Sequence, residues 1–80
     1  MDGNGEAAEK HLLVAIDVAR QQGAKLWELR AAIDLAHIMQ EQGRMDEAIA
    51  LLDPILNRIA EGDCPEDQVA AKKLLAELAA

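Results

Sequence analysis

The 80-residue sequence contains no serine, threonine, tyrosine or phenylalanine, and its one cysteine is Cys64. A single cysteine cannot form an intramolecular disulfide, and it fits a reducing cytoplasm better than a secreted scaffold. Hydroxyl nucleophiles, a glycine-rich phosphate loop and clustered His and Cys residues are all missing. We therefore expect no enzymatic activity, no catalytic residue, no cofactor and no metal.

Positive charge and long hydrophobic runs are also scarce. The formal net charge of −7 repels phosphate backbones and anionic lipid surfaces, which makes nucleic acid and membrane poor partners. The longest apolar runs are far shorter than the roughly 20 residues that span a bilayer. Residues 1–5 lack the basic start and apolar stretch of a signal peptide. These features predict a cytoplasmic protein whose partner is another protein.

Strong helix formers supply most of what is present. Alanine and leucine dominate, glutamate, glutamine, lysine and arginine fill much of the rest, and only two prolines and five glycines interrupt the chain. This composition predicts an all-α fold.

The glycines and prolines divide the chain into four segments of helical periodicity, with breaks at Gly23, at Gly43 and over residues 62–65. We predict helices over about residues 6–22, 25–42 and 45–61, and from just after Gly62 to the chain end. Residues 1–5 form a flexible lead-in, and residues 6–80 form a single domain. Because the turns are short, neighbouring helices must pack antiparallel, as two helical hairpins in series.

The second predicted helix is apolar on two sides, which is typical of a helix packed between two others. One side carries Leu29, Ala32, Ile33, Ala36 and Met39, and the other carries Trp27, Ala31, Leu35 and Ile38. It is therefore the expected central helix.

Two helix boundaries depend on proline. Pro54 lies within the third predicted helix, and two interpretations are possible. Either it removes one backbone hydrogen bond and kinks a single helix, or Asp53 caps a second, short helix that begins at Pro54. We favour one kinked helix. The fourth predicted helix has Asp63 as its cap and Pro65 early in its first turn, with Glu66 three residues after the cap.

Residues 29–60 resemble a tetratricopeptide repeat. Leu35, Ala36 and Met39 have the large, small, large pattern of that motif, and residues 42–48 resemble its inter-helix turn and second-helix start. Small residues at Ala36 and Ala48 allow close approach of two helices. The resemblance implies tandem helical hairpins that bind other proteins.

A narrower resemblance covers residues 24–52. The run from Gln22 to Ala32, followed by residues 42–44, is similar to the C-terminal helical repeats of large bacterial signalling proteins that join a cyclase-like domain to an ATPase domain. That region is an interaction and scaffolding tail, so the resemblance implies a piece of such a tail and transfers no catalytic residue. After Asp53 the aromatic-rich stretch of that family is absent.

Four polar residues follow one line of the second predicted helix: Arg30, Asp34, His37 and Glu41. This polar strip is either a recognition surface for a peptide or a solvated helix edge with a weak Arg30–Asp34 pair. Asp34, His37 and Glu41 could bind a metal only with further ligands from a second helix. The other histidine, His11, is on the first predicted helix, and the sequence does not fix the direction of its side chain.

Two single residues remain to be interpreted. Cys64 stands at a predicted helix start among acidic neighbours, which favours an inert turn residue over a nucleophile. Trp27, the only aromatic residue, either fills the core or anchors an interface.

Helical hairpins leave an apolar face open when only two are present. We therefore predict self-association, as a symmetric homodimer, and a role as a protein–protein interaction or scaffold module in a larger signalling protein. The residues predicted near the dimer surface are Ile16, Trp27, Ile38, Leu56 and Leu78. The alternative is a small ligand- or metal-binding helical bundle that acts as a sensor.

Overall fold

A computed structural model describes the backbone of residues 3–59 and 65–80, and the side chains of residues 7–59 and 66–80. Within these residues the chain forms helices and turns only, as the composition predicts. The four helices are α1 (Gly3–Gln22), α2 (Lys25–Glu41), α3 (Met45–Arg58) and α4 (Pro65–Ala79). None of the described helices is both long and apolar enough to cross a bilayer.

Helix α1 begins at Gly3, three residues before the predicted start. Each glycine in a helix costs only about 1 kcal/mol relative to alanine. The alanine-rich segment that follows is a strong enough helix former to extend back through Gly3 and Gly5.

Gly23 and Gly43 end α1 and α2 in the left-handed conformation, with φ of 69° and 77°. The Ala24 amide donates to the Ala19 carbonyl at 2.8 Å, and the Gly23 amide donates to Arg20 at 3.2 Å. This pair of bonds is a Schellman motif, which satisfies carbonyls that the helix end would leave open.

The turn after α2 repeats this arrangement. The Arg44 amide donates to the Met39 carbonyl at 2.8 Å and the Gly43 amide to Gln40 at 3.1 Å. Both turns carry the sequence Gln-Gly-X, at a spacing of twenty residues. The two reversals therefore share one geometry.

Helix α3 continues through Pro54, so the prediction of one helix rather than two is confirmed. It ends at Arg58, sooner than predicted, because Ile59 adopts an extended conformation with φ −90° and ψ 125°. This β-branched residue is suited to extended backbone, and leaving the helix directs its side chain into the core.

Helix α4 starts at Pro65, the position where a proline's missing amide costs least. The predicted cap at Asp63, and Cys64 beside it, lie outside the described residues.

Helix α2 packs against all three other helices, which confirms its predicted central place. The core between the helices includes four side chains with almost no accessible surface: Leu29, Leu35, Leu52 and Ile55. Small residues at Ala36 and Ala48 are fully buried where α2 and α3 meet. Among the described helices α1 packs on α2 alone, whereas α3 and α4 pack on each other and on α2.

Candidate functional site

Arg44 joins three parts of the chain at one end of the helices. Its guanidinium donates to both carboxylate oxygens of Glu9 in α1, at 2.8 and 3.1 Å, and to both of Glu47 in α3, at 2.8 and 2.9 Å. It also donates to the Gln42 side chain at 2.8 Å. We call Arg44, Glu9 and Glu47 the Arg44 cluster.

The Arg44 cluster shifts the pKa of each of its members. Hydrogen bonding to Arg44 holds the pKa of both Glu9 and Glu47 below the usual value. The same bonds, those to Glu47 first and to Glu9 second, raise the pKa of Arg44. A bidentate fork that is fully engaged with carboxylates stabilises the turn between α2 and α3, and it leaves little capacity for an incoming anion.

A second cluster, with the charges reversed, lies at the opposite end of the same three helices. Glu28, at the start of α2, accepts a hydrogen bond from Nε of Arg20 in α1 at 3.1 Å and another from Arg58 in α3. The Glu28 side chain is 4% exposed, whereas those of Arg20 and Arg58 are 53% and 51% exposed. We call these residues the Glu28 cluster.

The two clusters have a structural role. Helices α1 and α3 both flank α2, and each cluster links α1 to α3 around one end of it, once through an arginine and once through a glutamate. Neither cluster was predicted from the sequence. Short turns between antiparallel helices bring the end of one helix beside the start of the next. Oppositely charged residues near those ends could therefore have indicated the ion pairs.

The predicted polar strip on α2 is exposed at all four positions: Arg30, Asp34, His37 and Glu41. Two of its members border α4. Nε of Arg30 donates to Asp67 at 3.4 Å, and His37 lines a shallow groove with Lys73, Leu74 and Glu77. The groove carries both charge signs, and the strip's role in recognition stays a prediction.

Trp27 is not a core residue. Its side chain is 61% exposed at the start of α2, and the Arg30 guanidinium lies 5.4 Å from the centre of its ring. The core alternative predicted for Trp27 is therefore wrong, because the adjacent positions on α2 that point inward already fill the space between the helices. Its use as an interface anchor stays a prediction.

The other residues predicted near a dimer surface have different positions. Ile16, Leu56 and Leu78 belong to the core of the single chain and are 5%, 9% and 5% exposed. They contribute little accessible surface to a contact, and their place near a dimer surface stays a prediction. Ile38 is half-buried and keeps some accessible surface.

An apolar surface that was not predicted from the sequence lies on α1. Leu13, Val14 and Val18 are 46%, 62% and 42% exposed, and Ala7 and His11 are exposed near them. Positions 7, 11, 14 and 18 follow one side of a helix, opposite Ile16 and Ala19, which pack on α2. We call the surface of Ala7, His11, Val14 and Val18 the α1 face, and Leu13 lies about a quarter turn from it. The valines at positions 14 and 18, spaced i, i+4, were the pattern that could have revealed it.

Metal ligands do not cluster in the part of the chain that the structure describes. No group of three or more His, Cys, Asp or Glu side chains there could hold an ion, and this holds for Asp34, His37 and Glu41 of the strip. His11 is exposed on α1, apart from the strip on α2. The sensor alternative stays a prediction.

Comparisons with known proteins give no family assignment. No protein-family model, curated protein or solved structure matches this chain.

Proposed function

We propose that this chain is a protein–protein interaction and assembly module, and that it self-associates through the α1 face. The observation that carries the proposal is the contrast on α1: one side is buried against α2, and the other exposes large aliphatic side chains that no other helix of the described residues covers. Contiguous exposed apolar surface rimmed by polar groups is typical of interaction sites.

The charge distribution supports the same surface. The chain carries a net charge of −7, so two copies repel each other at a distance. Between positions 7 and 22 the charges balance, with Glu9 and Asp17 against Lys10 and Arg20. Residues 7–22 of α1 therefore carry no net charge, and two copies can approach there with less repulsion than the charge of the whole chain implies.

The wider context of the proposal comes from the resemblance to tetratricopeptide repeats and to the repeat tails of bacterial cyclase and ATPase signalling proteins. In such arrays each helical pair is covered by its neighbour. We propose that the chain acts as a scaffold of this kind in a signalling protein of the cytoplasm, where a lone cysteine stays reduced.

The test compares two matched variants by sedimentation equilibrium. Val14→Asp places a charge in the α1 face, and Val69→Asp makes the same change on α4 at a position that is 66% exposed. We expect the unmodified chain and the Val69 variant to associate, and the Val14 variant to dissociate at least tenfold more readily, because a buried unpaired carboxylate is costly.

Circular dichroism verifies that both variants remain helical. Equal association of the two variants would remove the α1 face from the interface, and a monomeric unmodified chain at all concentrations would overturn self-association.

A further inference from the structure

The α1 face has a charge pattern that is complementary to itself. Lys10 and Asp17 lie seven residues apart on α1, with Val14 between them, and all three point away from α2. In an antiparallel pair of identical helices centred on Val14, position 10 of one copy faces position 18 of the other. Lys10 then stands within one residue of the second copy's Asp17, and the same pair forms again across the symmetry axis.

We infer that the partner of the α1 face is a second copy of this chain, docked antiparallel on α1 about a two-fold axis near Val14. This inference rests on the proposed function, which already makes the partner a second copy, and adds to it the orientation and the register of the two helices. A two-fold interface uses the same surface on both copies, so a self-complementary charge pattern satisfies both halves.

The alternative orientation is less favourable. In a parallel pair, equal positions of the two copies face each other, which brings Lys10 beside Lys10 and Asp17 beside Asp17. Like charges that face each other destabilise the pair. In the antiparallel pair Val14 of one copy faces Val14 of the other, and Val18 faces Lys10, whose methylene groups can cover it, so the exposed valines are covered on both copies.

A disulfide test detects the axis directly. In a Cys64→Ser background, Val14→Cys puts two thiols across the axis, and packed helices 8–10 Å apart bring facing side chains into disulfide range. We expect mild oxidation to convert most of the Val14→Cys protein to a covalent dimer. Val69→Cys in the same background, on α4, should remain largely uncrosslinked.

Charge reversal tests the register independently. Lys10→Asp and Asp17→Lys should each weaken self-association roughly three- to thirtyfold, since each places two like-charge pairs in the interface. The variant that combines both reversals should recover the affinity of the unmodified chain.

The outcomes separate this inference from the proposed function. If the chain dimerises and Val14→Asp prevents it, but Val14→Cys does not crosslink and the double reversal does not restore affinity, the antiparallel register is wrong and the assembly function stands. If the unmodified chain stays monomeric, self-association and the register are both overturned.

Discussion

Glu28 is the most deeply buried carboxylate among the described residues, and its negative charge is paired with arginines. Two arginines from different helices donate to it, so its charge is neutralised where α1, α2 and α3 meet. A buried charge is tolerated only when it is paired in this way. The residue therefore stabilises the relative positions of three helices.

Glu28→Gln should lower the free energy of unfolding by about 1 kcal/mol. Charge-assisted hydrogen bonds are worth more than neutral ones, and the half-exposed arginines limit the loss through solvent screening. Asp34→Asn, an exposed change on the same helix, should cost less than about 0.5 kcal/mol. Urea unfolding of all variants at one low protein concentration measures the difference; equal losses would show that the Glu28 cluster adds no stability.

At the scale of single residues, the sequence predicted which polar residues are exposed better than it predicted which apolar residues are buried. It identified the polar strip on α2, whose residues are all exposed, because charged side chains repeat along one line. It left Trp27 open between the core and an interface and placed Ile16 near an interface, because hydrophobicity alone does not tell which of two apolar sides faces another helix. That choice depends on which helix packs where, a long-range property.

The two glycine turns are the elements that set the direction of the helices. Each contains a glycine at positive φ, and a Cβ added to Gly23 or Gly43 would meet no atom within 4 Å. Their requirement for glycine is therefore one of backbone conformation and not of space.

Gly23→Ala and Gly43→Ala should each lower the free energy of unfolding by about 1–2 kcal/mol, the cost of a left-handed conformation for an L-residue. The two losses should add, because the turns lie at opposite ends of α2, a helix roughly 25 Å long. Asparagine at either position should cost less than alanine, since it tolerates this conformation better. Thermal unfolding of the single and double variants provides the values, and a neutral alanine variant would contradict the account.

Helix boundaries were predictable where a glycine or proline marks them. The ends of α1 and α2 and the first residue of α4 agree with the sequence within a residue or two. The end of α3 was not predictable, because Ile59 leaves the helix to place its side chain in the core. Tertiary packing, and not local propensity, decides that boundary.

At the scale of the whole molecule, the fold is all-α, and ion pairs of Arg44 and Glu28 connect α1 to α3. Bonds to Arg44 lower the pKa of Glu9 and Glu47 in the folded state. A carboxyl group with a lowered folded pKa contributes stability above its unfolded pKa and loses it as the pH falls through the folded pKa. Stability should therefore decline as acid protonates these two groups.

The thermal unfolding midpoint should fall between about pH 5 and pH 3. Arg44→Gln should be less stable at pH 7 and should show a shallower decline over this range, because Glu9 and Glu47 then have pKa values closer to those of the unfolded chain. Lys73→Gln, an exposed change on α4, provides the control and should keep the original slope. Parallel curves for the unmodified chain and the Arg44 variant would show that the Arg44 cluster does not contribute to acid sensitivity.

The all-α architecture and the central place of α2 followed from composition, short turns and a helix that is apolar on two sides. The α1 face did not: Val14 and Val18 are spaced for one side of a helix, but their exposure follows only from the packing of α1 on α2 alone among the described helices. Whether an apolar residue is left uncovered depends on the number of helices present to cover it.

The most direct test of the central claim, that the α1 face is an interface between copies, is a dilution series followed by the backbone amide resonances of the ¹⁵N-labelled chain. We predict that resonances of residues 10–18 shift together with concentration, with Val14 among the most affected, while those of the α2 polar strip remain constant. Resonances that do not change with concentration, or shifts confined to α2 and α4, would contradict the claim.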